Sequence, residues 1–304
     1  MGSEKDNIQT QRLNKIYRLF IQKQDINGNP INEGFVITNP ISIKFNINRS
    51  IYSGIAEMNI DIYNLSPSTR NQLFKDFYFD IEKQKPLFIA LSAGYATTEL
   101  STIFVGDVWS SYTVREGCNV ITRIQAKTGL RNLAQTVELT LEAGMTVEDV
   151  VAACMKELPN LDSNYQVAED YVFHEPVALM DKPLAIIKKY NSNKNVFVDL
   201  NNVYILGQEE AIPGWVPLIN DASGLLNAPE RRTGTLVFNM MFEPRLQLAQ
   251  IIQLDSHLAP QFNGQYKIFG IKHQGIISDT ANSRATTTVE VNIGAEIYGK
   301  FKQI

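Results

Sequence analysis

Two stretches far apart in this chain alternate apolar and polar side chains with a period of two. Ile41, Ile43, Phe45 and Ile47 fall on one side, with Ser42, Lys44, Asn46 and Asn48 on the other. Near the opposite end Thr287, Val289, Val291 and Ile293 share a face, and Thr286, Thr288, Glu290 and Asn292 take the reverse. That period belongs to a half-buried β-strand, one face toward a core and the other toward water or a partner. A chain that carries the pattern at both ends has to build sheet at both ends.

The surrounding residues extend it. Ile16 to Gln22 reads as a strand, and the turn Asn27-Gly28-Asn29-Pro30 follows it. Met58, Ile60 and Ile62 alternate against Asn59, Asp61 and Tyr63, and Leu87–Ala93, Thr102–Val108 and Val120–Ala126 complete a set of six strands, with Gly94, Gly106 and Gly117 as punctuation. Asn64-Leu65-Ser66-Pro67 starts a single short helix, Ser66 capping it, Pro67 in its first position, and Leu73, Phe74 and Phe77 as its apolar stripe. Short strands at regular spacing favour a barrel or sandwich. The last quarter has four more strand-like runs, beginning at Thr233, Ile251, Gly264 and Thr286. Tyr266–Gln274 and Thr286–Ile293 are expected to form a hairpin across the polar loop Ser278–Ser283, with a turn at Gly264 and a bulge at Gly270.

Between these regions the character changes. Thr146 caps a helix in which Val147, Val150, Val151, Cys154 and Leu158 keep helical spacing and Pro159 stops it. A second helix is predicted from Asp181 to Tyr190, then a hairpin turning at Asn201-Asn202, because Asn tolerates the positive φ of a type I′ turn. The expected fold is mainly β with an α+β insert: two tube-like antiparallel β-barrel domains flanking a small α/β module. The expected division is 1–14 as a flexible N-terminal segment, 15–135 as the first β-barrel with one short helix, 136–210 as the insert, and 211–304 as the second β-barrel.

The formal net charge is −4, and residues 136–210 carry it, with 13 acidic against 5 basic side chains. Beyond the pairs Lys188-Lys189 and Arg231-Arg232 no Lys and Arg are adjacent, and no larger cluster exists to neutralise phosphates, so stable nucleic-acid binding is not expected. The acidic insert reads either as a solvated face or as a contact for a basic partner. Cys118 and Cys154, the only cysteines, imply a reducing compartment or buried free thiols, and no disulfide framework. No apolar run reaches the roughly 20 residues of a membrane helix, so no membrane anchor is expected.

Motifs for catalysis are missing. His174, His257 and His273 have no metal-ligand spacing with one another or with a cysteine, and there is no phosphate loop, nucleophile elbow or calcium loop. Of the carboxylate pairs Glu148-Asp149, Glu169-Asp170 and Glu209-Glu210, two sit where a helix's first turn or a polar loop explains them. Trp109, Tyr112, Trp215 and Tyr298 could form a sugar platform, though such residues more often anchor a core or an interface. No catalytic, cofactor-binding or metal-binding residue is nominated, and no cofactor.

The ordered series comprises Asn39–Tyr63, Ser101-Thr-Ile-Phe-Val-Gly-Asp-Val, Gly144-Met-Thr-Val-Glu-Asp-Val-Val, Asp181-Lys-Pro-Leu-Ala leading to Val196–Gly207, Ser223-Gly-Leu-Leu-Asn-Ala-Pro, Phe242-Glu-Pro-Arg-Leu and Gly264–Gly275. It resembles the baseplate hub proteins of contractile-tailed bacteriophages, the group that includes late-control protein D, the Mu-type hub and the hub portion of type VI secretion spikes. The likeness covers Ile16 to Ile293. It departs at Leu246-Gln247-Leu248, where such hubs often place a glycine. The sequence carries no lysozyme or peptidase segment, so lytic activity is not implied.

The resemblance implies a non-enzymatic, structural homotrimer in the virion's tail baseplate, assembled in the host cytoplasm. Its ring adapts the six-fold tail tube protein to the three-fold central spike protein and forms part of the DNA conduit, through which DNA passes without stable binding. Tape measure and other baseplate proteins are further implied partners. The alternatives are a cell-wall hydrolase or carbohydrate-binding tail module, or another tail-tube ring component.

Overall fold

The computed structural model describes residues 14–25, 29–75, 86–129, 136–158, 161–165, 172–279, 283–292 and 302–303. Phe77, Pro159, Glu169-Asp170, Ile293, Tyr298 and parts of the turn at Asn27-Gly28 and of the loop 278–283 lie outside them. The described chain is mostly β, and its strands gather chiefly into one 13-stranded sheet.

The first segment supplies β1 (Lys15–Lys23), β2 (Phe35–Thr38), β3 (Ile43–Ser50), β4 (Glu57–Tyr63), helix α1 (Pro67–Leu73), β5 (Leu87–Tyr95), β6 (Ser101–Glu116) and β7 (Asn119–Lys127). The alternation in β3 is realised as read: Ile43, Phe45 and Ile47 are buried while Lys44, Asn46 and Asn48 are exposed. Ser66 caps α1 by accepting the Thr69 N–H. Leu73 is buried, but Phe74, expected in the same apolar stripe, is 61% exposed because α1 ends before it. Phe35–Thr38 is a strand that the sequence pattern does not announce, since four residues are too few to show a period. Thr102–Val108 proves to be half of a strand twice as long. Gly106 lies inside it, and a Cβ there would meet the Lys127 carbonyl oxygen at 2.5 Å. Glycine lets β6 and β7 approach where β6 passes from one neighbour to the next.

The middle segment holds β8 (Val137–Leu141), α2 (Val147–Lys156), β9 (Asp162–Tyr165), β10 (Val177–Asp181), α3 (Pro183–Tyr190), β11 (Asn195–Asp199) and β12 (Asn202–Leu206). Thr146 and Asp149 form a reciprocal capping box on α2, whose Val147, Val150, Val151 and Cys154 face inward. Asp181 closes β10, so α3 starts at Pro183. Register places Asp199 opposite Asn202, and the residues with positive φ are Leu200 (45°) and Asn201 (72°). The hairpin therefore turns one residue earlier than the Asn201-Asn202 expected.

The last segment contributes β13 (Glu210–Ala211), β14 (Leu218–Ile219), β15 (Glu230–Arg232), β16 (Thr235–Met241), β17 (Ile251–Leu254), β18 (Gly264–Ile277) and β19 (Arg284–Asn292), with β20 (Lys302–Gln303) beside β13. β18 and β19 form the expected hairpin, with a register shift between Ile268 and Gly270.

The main path runs β15-β16-β19-β18-β3-β4-β7-β6-β5-β1-β2. Its first eight members divide into two sets built alike. Each set is two antiparallel hairpins, β15/β16 with β18/β19 and β3/β4 with β6/β7, laid down in the order first, second, fourth, third. The third strand is the long one in both. β6 pairs β5 along its first half, as β18 pairs β17, and both shift register against the fourth strand at the changeover. A duplication invisible residue by residue is thus plain in the pairing. Three apolar clusters underlie it: one beneath β1–β7, one beneath β16–β19, and one between α2, α3 and β8–β12.

Candidate interaction surface

The two sets meet where β18 pairs β3, from Gly270 opposite Ser50 to Ile277 opposite Ile43. The alternation of β3 continues one step past Ile47 and turns Arg49 toward the core, where it is fully buried. A guanidinium there is tolerable only with a partner that replaces its water. Arg49 Nε donates to Asp199 Oδ1 at 2.8 Å and Nη2 to Oδ2 at 2.5 Å, a bidentate pair, while Nη1 donates to the Leu246 carbonyl at 3.3 Å. One side chain thus ties β3 to the end of β11 and to the loop before β17.

Apolar groups cross the same joint in both directions. Phe242, from the last segment, packs in the first cluster edge-to-face with Phe45, and Tyr95 donates its hydroxyl to the Phe242 carbonyl at 2.7 Å. Ile51 packs in the second cluster. In β18, His273 is fully buried against Phe242, with Nδ1 3.0 Å from Thr287 Oγ1 and Nε2 without a protein partner. Burial, reinforced by the Arg49 charge, pushes its pKa down to about 3. The Lys267 ammonium donates to the carbonyls of Gly207, Gln208 and Glu210 at 2.9, 2.7 and 2.8 Å, clamping the end of the middle segment to β18. Its burial lowers its pKa to about 8 against the opposing pull of Glu210.

The residues weighed for chemistry are scattered. Glu148 and Asp149 begin α2, and hydrogen bonds from Thr146 hold the Asp149 carboxyl below its usual range. Glu210 accepts from the Gly207 N–H, and His174 and His257 are exposed singly. Cys118 is exposed and Cys154 buried, its thiol pushed up to about 11 mainly by desolvation, which removes it as a nucleophile. Lys127 lies over one face of the Trp109 ring at 4.9 Å and Arg245 over one face of the Trp215 ring at 4.8 Å. Among the described residues no group of three His, Cys, Asp or Glu could hold a metal, and no helix is long and apolar enough to cross a membrane. Arg49, Asp199 and Lys267 belong to no motif that marks them in the sequence. For Arg49 a signal is nonetheless present: a charge at the next inward position of the clearest alternation in the chain.

The fold is that of phage tail proteins. It is similar to the 43 kDa tail protein of prophage MuSo2 from Shewanella oneidensis (TM-score 0.60, 8% identity, covering 94% of this chain and 99% of that one). It is also similar to a tail protein from Neisseria meningitidis MC58 (TM-score 0.62, 7% identity, 92% and 97%). A third likeness is to the E. coli c3393 protein, a type VI secretion component described as structurally similar to the T4 tail proteins gp27 and gp5 (TM-score 0.57, 11% identity, 86% and 76%). No curated protein matches the sequence. The family model for baseplate hub gp41 matches residues 26–283, and the chain belongs to that family. It is a structural component of the phage tail baseplate, associated with the virion, and not an enzyme.

Proposed function

We propose that three copies of this chain form a closed ring that adapts the six-fold tail tube to the three-fold central spike, with the ring's lumen part of the DNA conduit. The observation that carries this reading is the pair of hairpin sets with one strand order, joined edge to edge. A chain that presents the same unit twice, copied three times, offers six similar units to the tube and three identical chains to the spike, and cyclic symmetry closes such head-to-tail contacts. The three apolar clusters support a division into 15–135, 136–210 and 211–304, with the first and last segments curving into barrels. Lys and Arg do not form a stripe along the chain, which suits a conduit that must release DNA. Tape measure and other baseplate proteins contact the ring, and two free thiols suit assembly in the host cytoplasm.

Mass measurement in solution and electron microscopy of assembled tails test the proposal. Three copies in a ring between tube and spike are expected, and a single copy inside assembled tails would overturn it.

A further inference from the structure

The two hairpin sets can be compared strand for strand: Ile47 of β3 stands where Arg231 of β15 does, and Thr113 of β6 where His273 of β18 does. The likeness continues past the long third strand and then fails. β6 leads to β5 and β5 to β1, as β18 leads to β17 and β17 to β14. β1 has nine residues and runs antiparallel to its neighbour, whereas β14 has two and runs parallel. Beside the first set the chain also covers itself. β2 pairs along β1, and the turn before β2 lies so close to Phe20 that a Cβ at Gly34 would stand 2.8 Å from its ring, which meets Phe88 edge-to-face with centroids 6.4 Å apart.

Among the described residues no strand pairs β14 on its other side. Pro217 and Ile219 are buried, while Val216 and Leu218 between and after them are 37% and 50% exposed, and Trp215 just before is 52% exposed. The indole is nonetheless fixed in place. Gln250 Nε2 donates to the Trp215 carbonyl at 2.8 Å, and Arg245 lies 4.8 Å over one face of the ring. Arg245 is held in turn by Glu243, Nε to Oε1 at 2.7 Å and Nη2 to Oε2 at 2.9 Å, so its charge is already matched within the chain. The result is a neutral apolar patch with a pre-set tryptophan at one end, the composition of an interface centre.

We propose that Trp215, Val216 and Leu218 are the contact through which the ring holds the central spike. The proposal rests on the ring reading above and assigns one of its partners to a surface. Symmetry selects the occupant. A six-fold tube meets both sets of every chain alike, and so can use only what the sets share. The patch has no counterpart beside the first set. It occurs once in a chain and three times in a ring, and a three-fold partner finds one copy for each of its subunits. Because Glu243 already matches Arg245, the spike face that fits is apolar or aromatic and brings no carboxylate of its own.

The test uses assembled tails that carry the photo-crosslinking substitution Trp215→p-benzoylphenylalanine. Irradiation should join the hub chain to the spike chain. Links to the tube protein, links to a second hub chain or the absence of any link overturn the assignment and leave the ring standing when electron microscopy of the same tails counts three hub chains. Any other count sinks the ring reading itself. With purified chains, Trp215→Ala should keep the parent's native mass and melting profile, because half of the side chain is already in water, and should bind the spike protein roughly thirtyfold more weakly. Val36→Ala removes a similarly exposed apolar side chain, 43% exposed, from β2 beside the first set and should leave binding unchanged. Parent-like binding by Trp215→Ala, or an equal loss with Val36→Ala, overturns the proposal. Should Trp215→Ala melt early, Leu218→Ser takes its place with the same expected loss, and parent-like binding by that variant overturns the proposal as well.

Discussion

The two hairpin sets follow one path, yet their first strands are written in different chemistry. β3 runs Ile43, Phe45, Ile47 inward and ends on a buried arginine, whereas β15 is Glu230-Arg231-Arg232, exposed throughout. Ile47 and Arg231 occupy the same topological place, one covered within the chain and the other not. The difference shows that strand order repeats here without repeating the core. A covered joint must satisfy its buried charges internally, through Asp199 and backbone carbonyls, while the charges of β15 stay exposed to water.

The comparison breaks most sharply at the covered joint. Asp199→Ala leaves Arg49 buried without its carboxylate, and we expect a loss of about 3–5 kcal/mol in denaturant unfolding. Arg49→Met with Asp199→Leu should recover most of that, because an apolar pair of similar size avoids desolvation. An Asp199→Ala chain as stable as the parent would mean the charge does not secure the joint. Arg231→Ser at the equivalent open position should change single-chain stability by no more than about 0.5 kcal/mol.

Next in size is Lys267→Met, which strips three carbonyls of their donor and should cost about 2–3 kcal/mol. The pH dependence is the sharper readout. With a folded pKa near 8 against 10.5, the unfolded chain binds more protons between those values, so the Lys267 contribution favours folding increasingly as pH rises through that window. The variant should lack that rise. Unfolding titrations at pH 7.5 and 9.5, about the range concerned, compare the two.

His273 gives the acid-side counterpart. Its folded pKa of about 3 lies below the ordinary 6.5, so the unfolded chain takes up the proton first and stability falls as pH drops through 6.5 toward 3. Between pH 7 and pH 5 this one group should account for about 2 kcal/mol, and His273→Leu should shrink the parent's loss over that interval by the same amount. An unchanged loss would show that His273 is not held neutral. Thr113, at the equivalent place in the other set, brings no such titration.

How much of this was legible divides along the same line. The strand runs, the caps at Ser66 and Thr146 and the shift at Gly270 are local, and local chemistry announced them. The joint was not, because which edges meet depends on pairing between residues more than 200 positions apart, as with Ile47 and His273. Asp199 stands just before the Asn201-Asn202 expected to turn, and Lys267 lies within the strand-like run Tyr266–Gln274, and nothing in a single sequence marks a charge whose partner is a distant carbonyl or guanidinium.

The smallest expected effect concerns the turn that aims Asp199. Asn201-Asn202 fits a two-residue turn by composition, but the register makes Leu200-Asn201 the corner, putting a leucine at φ 45° where its Cβ crowds the backbone. The half-buried Leu200 side chain and the pairing of β11 with β12 outweigh that local cost, which keeps Asp199 as the last strand residue and points it at Arg49. Leu200→Gly removes the crowding, and if the strain at this corner exceeds what the side chain gains by packing, the variant should gain about 1 kcal/mol in unfolding experiments. A loss instead would show that the leucine's packing, rather than the turn's geometry, holds Asp199 in place. The covered joint would then depend on an apolar contact at its margin, which the open edge at β15 has no equivalent to supply.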